Sequence, residues 1–257
     1  MPLRGLVTPV SLRRYAGGRI ARARDFVVNE TLLHLVLNGR EIVRLSCLPL
    51  HREYLALGFL KVEGYIEHPV ELRNQILKGD IFSATVAKRP VRRAATRLSG
   101  CGGGISRHSL DAPIPSMDRR VDLTGLFSLE RILLQSREFL TLDRVHAKTG
   151  GTHSAALADP ERILFCTSDI GRHNALQKIV GWSMMENVPL EDKVLFVTGR
   201  VSAEIVLYCA AAGVPVLVSR AAPTSLALER AREAGLTLLG FARGGRCNVY
   251  AHPERLE

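Results

Sequence analysis

Residues 193–219 are KVLFVTGRVSAEIVLYCAAAGVPVLVS, and this stretch decides the fold class. The apolar run at 193–197 predicts a buried strand, and the run at 214–218 predicts a second one. Between them, residues 202–212 predict a helix that ends at Gly213, because glycine readily adopts the left-handed conformation that terminates many helices. A strand, a helix and a strand joined by short links indicate a layered α/β sheet.

The same alternation continues on both sides of this stretch. The further predicted elements are strands at 153–157, 162–167, 236–241 and 247–250, and helices at 127–141, 172–180 (ending near Gly181) and 225–234. Asp169, Ser202 and Thr224 stand near helix starts and are candidate caps. The short links predict a sheet that is mixed at one edge.

The N-terminal part has a different pattern, dominated by strand signals. Asn38-Gly39 separates two strand-like runs and predicts a hairpin, because both turn residues tolerate a positive φ. Residues 51–61 predict an amphipathic helix, and residues 81–91 return to strand character. The predicted organisation is a smaller β-rich lobe at 1–95, a glycine-rich cysteine loop and linker at 96–126, and an α/β domain at 127–257.

Composition excludes several classes of protein. The chain has 257 residues, of which 46% are hydrophobic and 23% charged, so it is neither disordered nor fibrous. It has no apolar run of about 18 residues and no secretory signal, so we expect a cytoplasmic protein without a membrane span. The net charge is +10, and residues 1–100 hold 17 basic and 8 acidic groups. This surplus reflects either genome composition or a basic face for an acidic protein, a nucleotide-bearing ligand or nucleic acid.

Each of four predicted strands is followed by a loop that combines arginine with glycine or small hydroxyl residues. If the strands are parallel, these loops share one edge of the sheet, where helix N-termini, glycines and arginines suit a phosphate or pyrophosphate. The candidate binding residues in these loops are Arg200, Ser202, Ser219, Arg220, Thr224, Arg243 and Arg246. His153 and His173 lie near the same edge, and either a structural or a catalytic role is open for them.

The five cysteines are odd in number and widely spaced, which argues against a disulfide framework or a structural zinc site. Four of them, Cys47, Cys166, Cys209 and Cys247, stand in strand or helix patterns or beside apolar residues. Cys101 instead lies in the run Ser-Gly-Cys-Gly-Gly-Gly, which predicts a mobile loop. Nearby positive charge lowers the pKa of a thiol, so Cys101 is either a reactive thiol or part of a plain glycine linker.

Taken together, these motifs resemble the FdhD family of formate dehydrogenase accessory sulfur carriers. The motifs are Asn38-Gly39, Leu57-Gly58-Phe59-Leu60 with Glu63-Gly64, Ser99-Gly100-Cys101-Gly102, Gly150-Gly151-Thr152-His153-Ser154-Ala155, Asp169-Ile170-Gly171-Arg172-His173-Asn174-Ala175, Gly199-Arg200-Val201-Ser202-Ala203-Glu204 and Phe241-Ala242-Arg243-Gly244-Gly245-Arg246. They occur in a consistent order over roughly residues 25–252, so the resemblance is more specific than any one of them.

The resemblance implies a sulfurtransferase that accepts persulfide sulfur from a cysteine desulfurase. It implies that Cys101 passes this sulfur to the molybdenum bis-molybdopterin guanine dinucleotide cofactor, which formate dehydrogenase needs in its sulfurated form. It also implies a cytidine deaminase-like layered core and a homodimer. The cofactor-contacting stretch of the family corresponds to Phe241, Ala242, Arg243, Gly244, Gly245 and Arg246.

One position departs from the family pattern. The family often has a second cysteine three residues after the first, whereas this chain has Gly104, so a two-thiol relay within the loop is excluded. A zinc deaminase is also disfavoured, because His153-Ser154-Ala155 lacks the glutamate of His-x-Glu and the chain has no Cys-x-x-Cys. The alternative hypotheses are a cofactor-binding chaperone that transfers no sulfur and, with the weakest support, a nucleic-acid-binding protein.

Overall fold

The computed structural model describes residues 3–87, 96–97, 105–106 and 127–257. The described part contains a six-stranded sheet, a four-stranded sheet and two separate pairs of strands, together with six α-helices. The prediction of a mixed α/β fold is therefore confirmed. Cys101, most of the predicted loop and linker, and residues 88–91 of a predicted strand lie outside the described residues.

The elements are numbered along the chain. The strands are β1 (Val7–Ala16), β2 (Arg19–Val28), β3 (Thr31–Leu37), β4 (Arg40–Cys47), β5 (Leu72–Lys78), β6 (Ile81–Val86), β7 (Thr96–Arg97), β8 (Ile105–Ser106), β9 (His153–Ala158), β10 (Ile163–Asp169), β11 (Val194–Val197), β12 (Val216–Ser219), β13 (Thr237–Arg243) and β14 (Arg246–Ala251). The helices are α1 (Arg52–Val62), α2 (Leu129–Leu142), α3 (Arg144–Thr149), α4 (Arg172–Glu186), α5 (Ala203–Ala212) and α6 (Ser225–Ala234), with short 3₁₀ turns at Pro69–Glu71 and Pro253–Arg255.

The six-stranded sheet has the order β10-β9-β11-β12-β13-β14. Strands β11, β12 and β13 are parallel, whereas β9 is antiparallel to both of its neighbours and β14 is antiparallel at the edge. The predicted mixing at one edge is therefore incomplete, because the β9–β10 hairpin inserts an antiparallel strand inside the sheet. Because β10 and β11 are both antiparallel to β9, β10 points the same way as β11, β12 and β13.

Side chains alternate between the two faces of this sheet, and both faces are covered by helices. Leu195 and Val197 belong to a core that includes residues of α4, α5 and α6, whereas Val194 and Phe196 belong to a core that includes residues of α2. This alternation follows from the two-residue period of a strand. The fully apolar strands of the sequence are thus explained, because a sheet buried on both faces needs no polar side.

The N-terminal lobe is the four-stranded sheet β4-β3-β6-β5 with α1 packed against it. The predicted hairpin is confirmed, and Asn38 and Gly39 have φ values of 50° and 74°. A two-stranded hairpin, β1–β2, precedes this sheet and was not predicted. The division into domains at 95 and 126 stays a prediction.

Helices α1 and α4 cross in direct backbone contact and join the two lobes. A Cβ atom at Gly58 would lie 1.7 Å from the Gln177 carbonyl oxygen, and one at Gly181 would lie 1.9 Å from that of Tyr54. The prediction that the helix ends near Gly181 is wrong. Gly181 lies inside α4 because the crossing leaves no room for a side chain, and the helix ends at Glu186, followed by the capping residue Asn187 with a φ of 54°.

Candidate functional site

The four arginine-containing loops lie at one edge of the six-stranded sheet. They follow the carboxyl ends of β10, β11, β12 and β13, which all point in the same direction. The amino end of β9, at His153, lies at this edge too, since His153 pairs with Asp169 at the end of β10. The predicted convergence of the loops is therefore a property of the fold, and we call this edge the arginine edge.

Backbone and hydroxyl hydrogen bonds tie three of these loops together. The Ser219 hydroxyl donates to the Gly199 carbonyl at 2.7 Å and accepts from the Ala221 N–H at 3.0 Å. The Phe241 N–H donates to the Ala221 carbonyl at 3.3 Å. Ser219, which the sequence placed among the binding residues, thus holds the loops that follow β11 and β12 against each other.

The predicted binding residues differ in how accessible they are. Arg200, Arg220, Thr224, Arg243, Gly244, Gly245 and Arg246 are exposed, Ser202 and Phe241 are half-buried, and Ser219 and Ala242 are buried. The Thr224 hydroxyl is committed to capping α6, where it accepts from the Ala227 N–H at 3.2 Å. The predicted cap at Ser202 is absent, and its buried Oγ has no hydrogen-bond partner within the described residues. Among the predicted side chains, the exposed arginines therefore remain available for an anion, whereas the Ser202 hydroxyl is buried.

Sequence reasoning missed one further cation at this edge. Gly244 and Gly245 form the turn between β13 and β14 with φ values of 61° and 78°. A Cβ atom at Gly245 would lie 2.3 Å from Nη2 of Arg137, which is on α2. Arg137 therefore reaches the turn from the face of the sheet that α2 covers, opposite to the face covered by α4, α5 and α6. The sequence did not reveal this contact because the two residues are far apart along the chain.

A histidine and an arginine lie together where β9 and β11 meet the edge. A Cβ atom at Gly199 would lie 3.2 Å from Cδ of Arg172 and 3.5 Å from Nδ1 of His153, so both side chains border this glycine. Burial lowers the pKa of His153 below its ordinary value, and the charge of Arg172 lowers it further. Both effects favour the neutral imidazole over the charged one, and a neutral imidazole can accept a hydrogen bond at one ring nitrogen.

His173 belongs to a buried chain of polar groups behind the edge. Its Nε2 lies 2.8 Å from Oε2 of Glu204, an ion-pair distance at an angle outside hydrogen-bond geometry. The Tyr208 hydroxyl lies 2.6 Å from Oε1 of Glu63 and 3.2 Å from Oε1 of Glu204. Tyr208 was missed, although its spacing of four residues from Glu204 on a helix signals that the two are neighbours.

Asp169 has a structural role that differs from the predicted helix cap. It is fully buried, and its Oδ2 lies 2.5 Å from Nζ of Lys178, which is also fully buried. It accepts hydrogen bonds from the Leu48 N–H at 3.2 Å, the Gly171 N–H at 3.0 Å and the Asn174 side chain at 2.9 Å. Because Leu48 belongs to the N-terminal lobe, this carboxylate joins the lobes and takes no part in the arginine edge.

Burial suppresses the acidity of the cysteines that the structure describes. It raises the pKa of Cys47 to about 12 and that of Cys166 to about 12, and it also raises the pKa of Cys209 and Cys247. Thiols are weak nucleophiles when their pKa lies far above neutral pH. Packing roles are therefore favoured for all four, while the predicted carrier Cys101 lies outside the described residues.

The described residues contain neither a metal-binding cluster nor a membrane-spanning helix. The part of the chain with defined coordinates has no group of three or more His, Cys, Asp or Glu side chains arranged to hold a metal ion. In the same part, no helix has the length and apolar character needed to cross a membrane.

Comparison with known proteins identifies the family. Residues 28–257 match the model of the FdhD/NarQ family. The chain belongs to this family. A Bacillus subtilis relative named sulfur carrier protein FdhD is 35% identical over 248 residues, which cover 95% of each chain. A Geobacillus kaustophilus FdhD of the same name is also 35% identical, again over 95% of each chain.

A solved structure supports the same assignment. The crystal structure of a formate dehydrogenase accessory protein from Desulfotalea psychrophila superposes with a TM-score of 0.80 at 27% identity, covering 98% of this chain and 100% of that one. The resemblance to the FdhD family inferred from the motifs is thus confirmed.

Proposed function

We propose that this chain is a sulfur carrier of the FdhD type that serves formate dehydrogenase. Sulfur arrives as a persulfide from a cysteine desulfurase, is carried on Cys101, and is delivered to the molybdenum bis-molybdopterin guanine dinucleotide cofactor as substrate. The observation that carries the proposal is the 35% identity to relatives named as sulfur carriers over 95% of the chain.

The arginine edge supports binding of a dinucleotide cargo. Arg200, Arg220, Arg243 and Arg246 are exposed on loops whose backbones are fixed by the sheet and by one another. Guanidinium groups form paired hydrogen bonds with phosphate oxygens, and a fixed backbone lowers the cost of ordering them. We place the guanine-dinucleotide phosphates along this edge, with Phe241 to Arg246 contacting the cofactor.

The cysteine environments support Cys101 as the carrier. The other four thiols have a raised pKa and lie in buried or half-buried positions, whereas Cys101 is flanked in sequence by glycines and arginines. Attack of the Cys101 thiolate on the desulfurase persulfide moves one sulfane sulfur and regenerates the desulfurase thiolate. Delivery regenerates the Cys101 thiolate, and molybdenum supplies the two electrons that reduce the sulfane sulfur to sulfide. With Gly104 in place of a second cysteine, the single-thiol route is the one this loop offers.

Further parts of the proposal follow from the family resemblance. We propose a homodimer in the cytoplasm with a core of the cytidine deaminase type. The layered sheet with helices on both faces is compatible with such a core.

Intact-mass measurement after incubation with a cysteine desulfurase and L-cysteine tests the carrier role. We expect the wild-type chain to gain about 32 Da, the mass of one sulfur atom, and the Cys101→Ser variant to gain nothing. Cys247→Ser, which removes a half-buried thiol on β14, is the matched control and should still gain the sulfur. Sulfur loading of Cys101→Ser at the wild-type level would contradict the proposal, and a wild-type chain that never loads would favour a cofactor-binding chaperone.

A further inference from the structure

The β1–β2 hairpin extends from the body of the protein as a two-stranded ribbon. Its base is anchored, because Val7 and Val28 pack with a small core and Nζ of Lys148 lies 3.9 Å from the centre of the Phe26 ring. Beyond this base, residues 11–24, which we call the outer hairpin, are exposed except for the half-buried Leu12 and Ala23. Val28 is also the residue at which the family match begins.

One face of the outer hairpin is strongly basic. Arg13 lies directly opposite Arg22, and Ser11 lies opposite Arg24, so the side chains of all three arginines are on the same face. The arginines and Ser11 border an open concavity, and Leu12 and Ala23, whose side chains alternate to the other face, lie between them along the strands. Since Phe26 is on this face too, the arginines continue outward from the surface that packs on the body of the protein.

These arginines are not neutralised within the described part of the chain. The hairpin has a single acidic residue, Asp25, and its carboxylate pairs with Arg14 on the other face at 3.1 Å. None of Arg13, Arg22 and Arg24 has a carboxylate within 4.0 Å among the described residues. Like charges directly opposite each other destabilise a strand pair, so the Arg13–Arg22 pair costs folding free energy that a bound anion would recover.

The tip of the hairpin adds an apolar contact and unpaired strand edges. Tyr15 and Ile20 face each other across the two strands and are 71% and 66% exposed. Both outer edges of the ribbon lack a neighbouring strand, because β1 and β2 pair only with each other in the described sheets. Unpaired edges and a tyrosine flanked by arginines are features of surfaces that bind proteins.

We propose that the outer hairpin is a docking arm for an acidic surface of the protein that receives the sulfur. The choice of formate dehydrogenase as that protein rests on the proposed function, whereas the acidic character of the partner follows from the arginines. A second copy of this chain that pairs through the same face fits poorly, because a two-fold interface would bring the three arginines against their own copies. Nucleic acid is less favoured, since it would leave the strand edges and the Tyr15–Ile20 contact unused.

Binding of purified formate dehydrogenase to the full chain, measured by biolayer interferometry at several salt concentrations, tests the docking arm. We expect R13E/R22E/R24E to bind at least about tenfold more weakly than wild type at low salt, because reversed charges repel an acidic partner. R40E/R73E/K78E changes the net charge equally on exposed positions of the N-terminal lobe and should keep wild-type affinity. R13Q/R22Q/R24Q removes the like-charge repulsion and keeps the test valid if the reversal impairs folding.

The outcomes separate this inference from the proposed function. Equal binding by wild type and R13E/R22E/R24E would overturn the docking arm, while sulfur loading of Cys101 in both would leave the carrier role intact. Loss of dehydrogenase binding with unchanged loading supports the docking arm. Conversion of a dimer to a monomer by the hairpin variant would overturn it in favour of a second copy. Binding of a fluorescent RNA at physiological salt that R13E/R22E/R24E loses and R40E/R73E/K78E keeps would overturn it in favour of nucleic acid.

Discussion

The contact between the two lobes and the arginine edge share the segment 169–174, but they differ in whether their charged side chains are buried or exposed. In residues 169–174, Asp169 and Asn174 face the contact between the lobes, whereas Arg172 borders Gly199 at the arginine edge. At the lobe contact, the Asp169 carboxylate and the Lys178 ammonium group are both fully buried and are paired with each other. At the edge, arginines remain exposed on a fixed backbone. A buried, matched pair of charges thus fixes how the two lobes pack, whereas exposed arginines are available to a ligand.

Removal of the cation at the lobe contact should destabilise the folded protein more than any other change considered below. Lys178→Met leaves the Asp169 carboxylate buried without its cation, and we expect a loss of about 3–5 kcal/mol in the free energy of unfolding. Urea unfolding followed by circular dichroism measures this. Lys61→Met removes a lysine paired with the exposed Glu67 and should cost less than about 1 kcal/mol.

A double variant shows whether the loss comes from the unmatched charge. Asp169→Asn combined with Lys178→Met removes both charges, so it should recover part of the stability lost by Lys178→Met alone. If Lys178→Met were no more destabilising than Lys61→Met, the lobe contact would not depend on matched buried charge.

Acid pH should destabilise the lobe contact through His51. Nδ1 of His51 lies there, 3.0 Å from Oγ1 of Thr167. Burial, followed by the charge of Lys178, lowers the pKa of His51 to about 4. The unfolded chain takes up this proton near its ordinary value of 6.5, whereas the folded protein resists it until about 4. The free energy of unfolding must therefore fall as the pH drops through this window.

His51→Asn should reduce this loss by about 1–2 kcal/mol, a figure lowered for partial solvent access. Asparagine is chosen because it tolerates the φ of 51° that His51 adopts. The measurement is urea unfolding of wild type and variant at several pH values between about 7 and 5. His68→Asn, at an exposed histidine, is the control, and an equal effect of both variants would contradict the role of burial.

Much of the sheet was predictable because its physical signals are local. Strand β11 and residues 216–218 of β12 are uniformly apolar since both faces are covered, and Gly213 and Gly235 end helices in the left-handed conformation. Once four strands point the same way, the loops after them must meet at one edge. The order of strands and helices along the chain was therefore enough to predict most candidate binding residues. The exposed arginines were found for this reason.

The features that were missed depend on contacts between distant parts of the chain. Gly181 has the local signature of a helix end, and only the crossing with α1 explains why the helix continues. The sequence does not predict the ion pair of Lys178 with Asp169, because that pairing depends on the burial of both side chains at the lobe contact. The β1–β2 hairpin had a local signal in Gly17-Gly18, but its arginine-rich strands lack the hydrophobic alternation that marks a half-buried strand.

At the arginine edge, removal of a single guanidinium group should have a modest effect on ligand affinity. Arg243→Ala and Arg220→Ala each remove one exposed guanidinium from the arginine edge, and we expect binding of guanosine diphosphate to weaken about fivefold for each. Arg232→Ala is the matched control, since Arg232 is an exposed arginine near the opposite end of α6 from the loops. Isothermal titration calorimetry at two salt concentrations measures the affinity, and added salt should narrow the difference because exposed charges are screened. If Arg232→Ala weakened binding as much as Arg243→Ala, the effect would belong to net charge and the arginine edge would lose its role in binding.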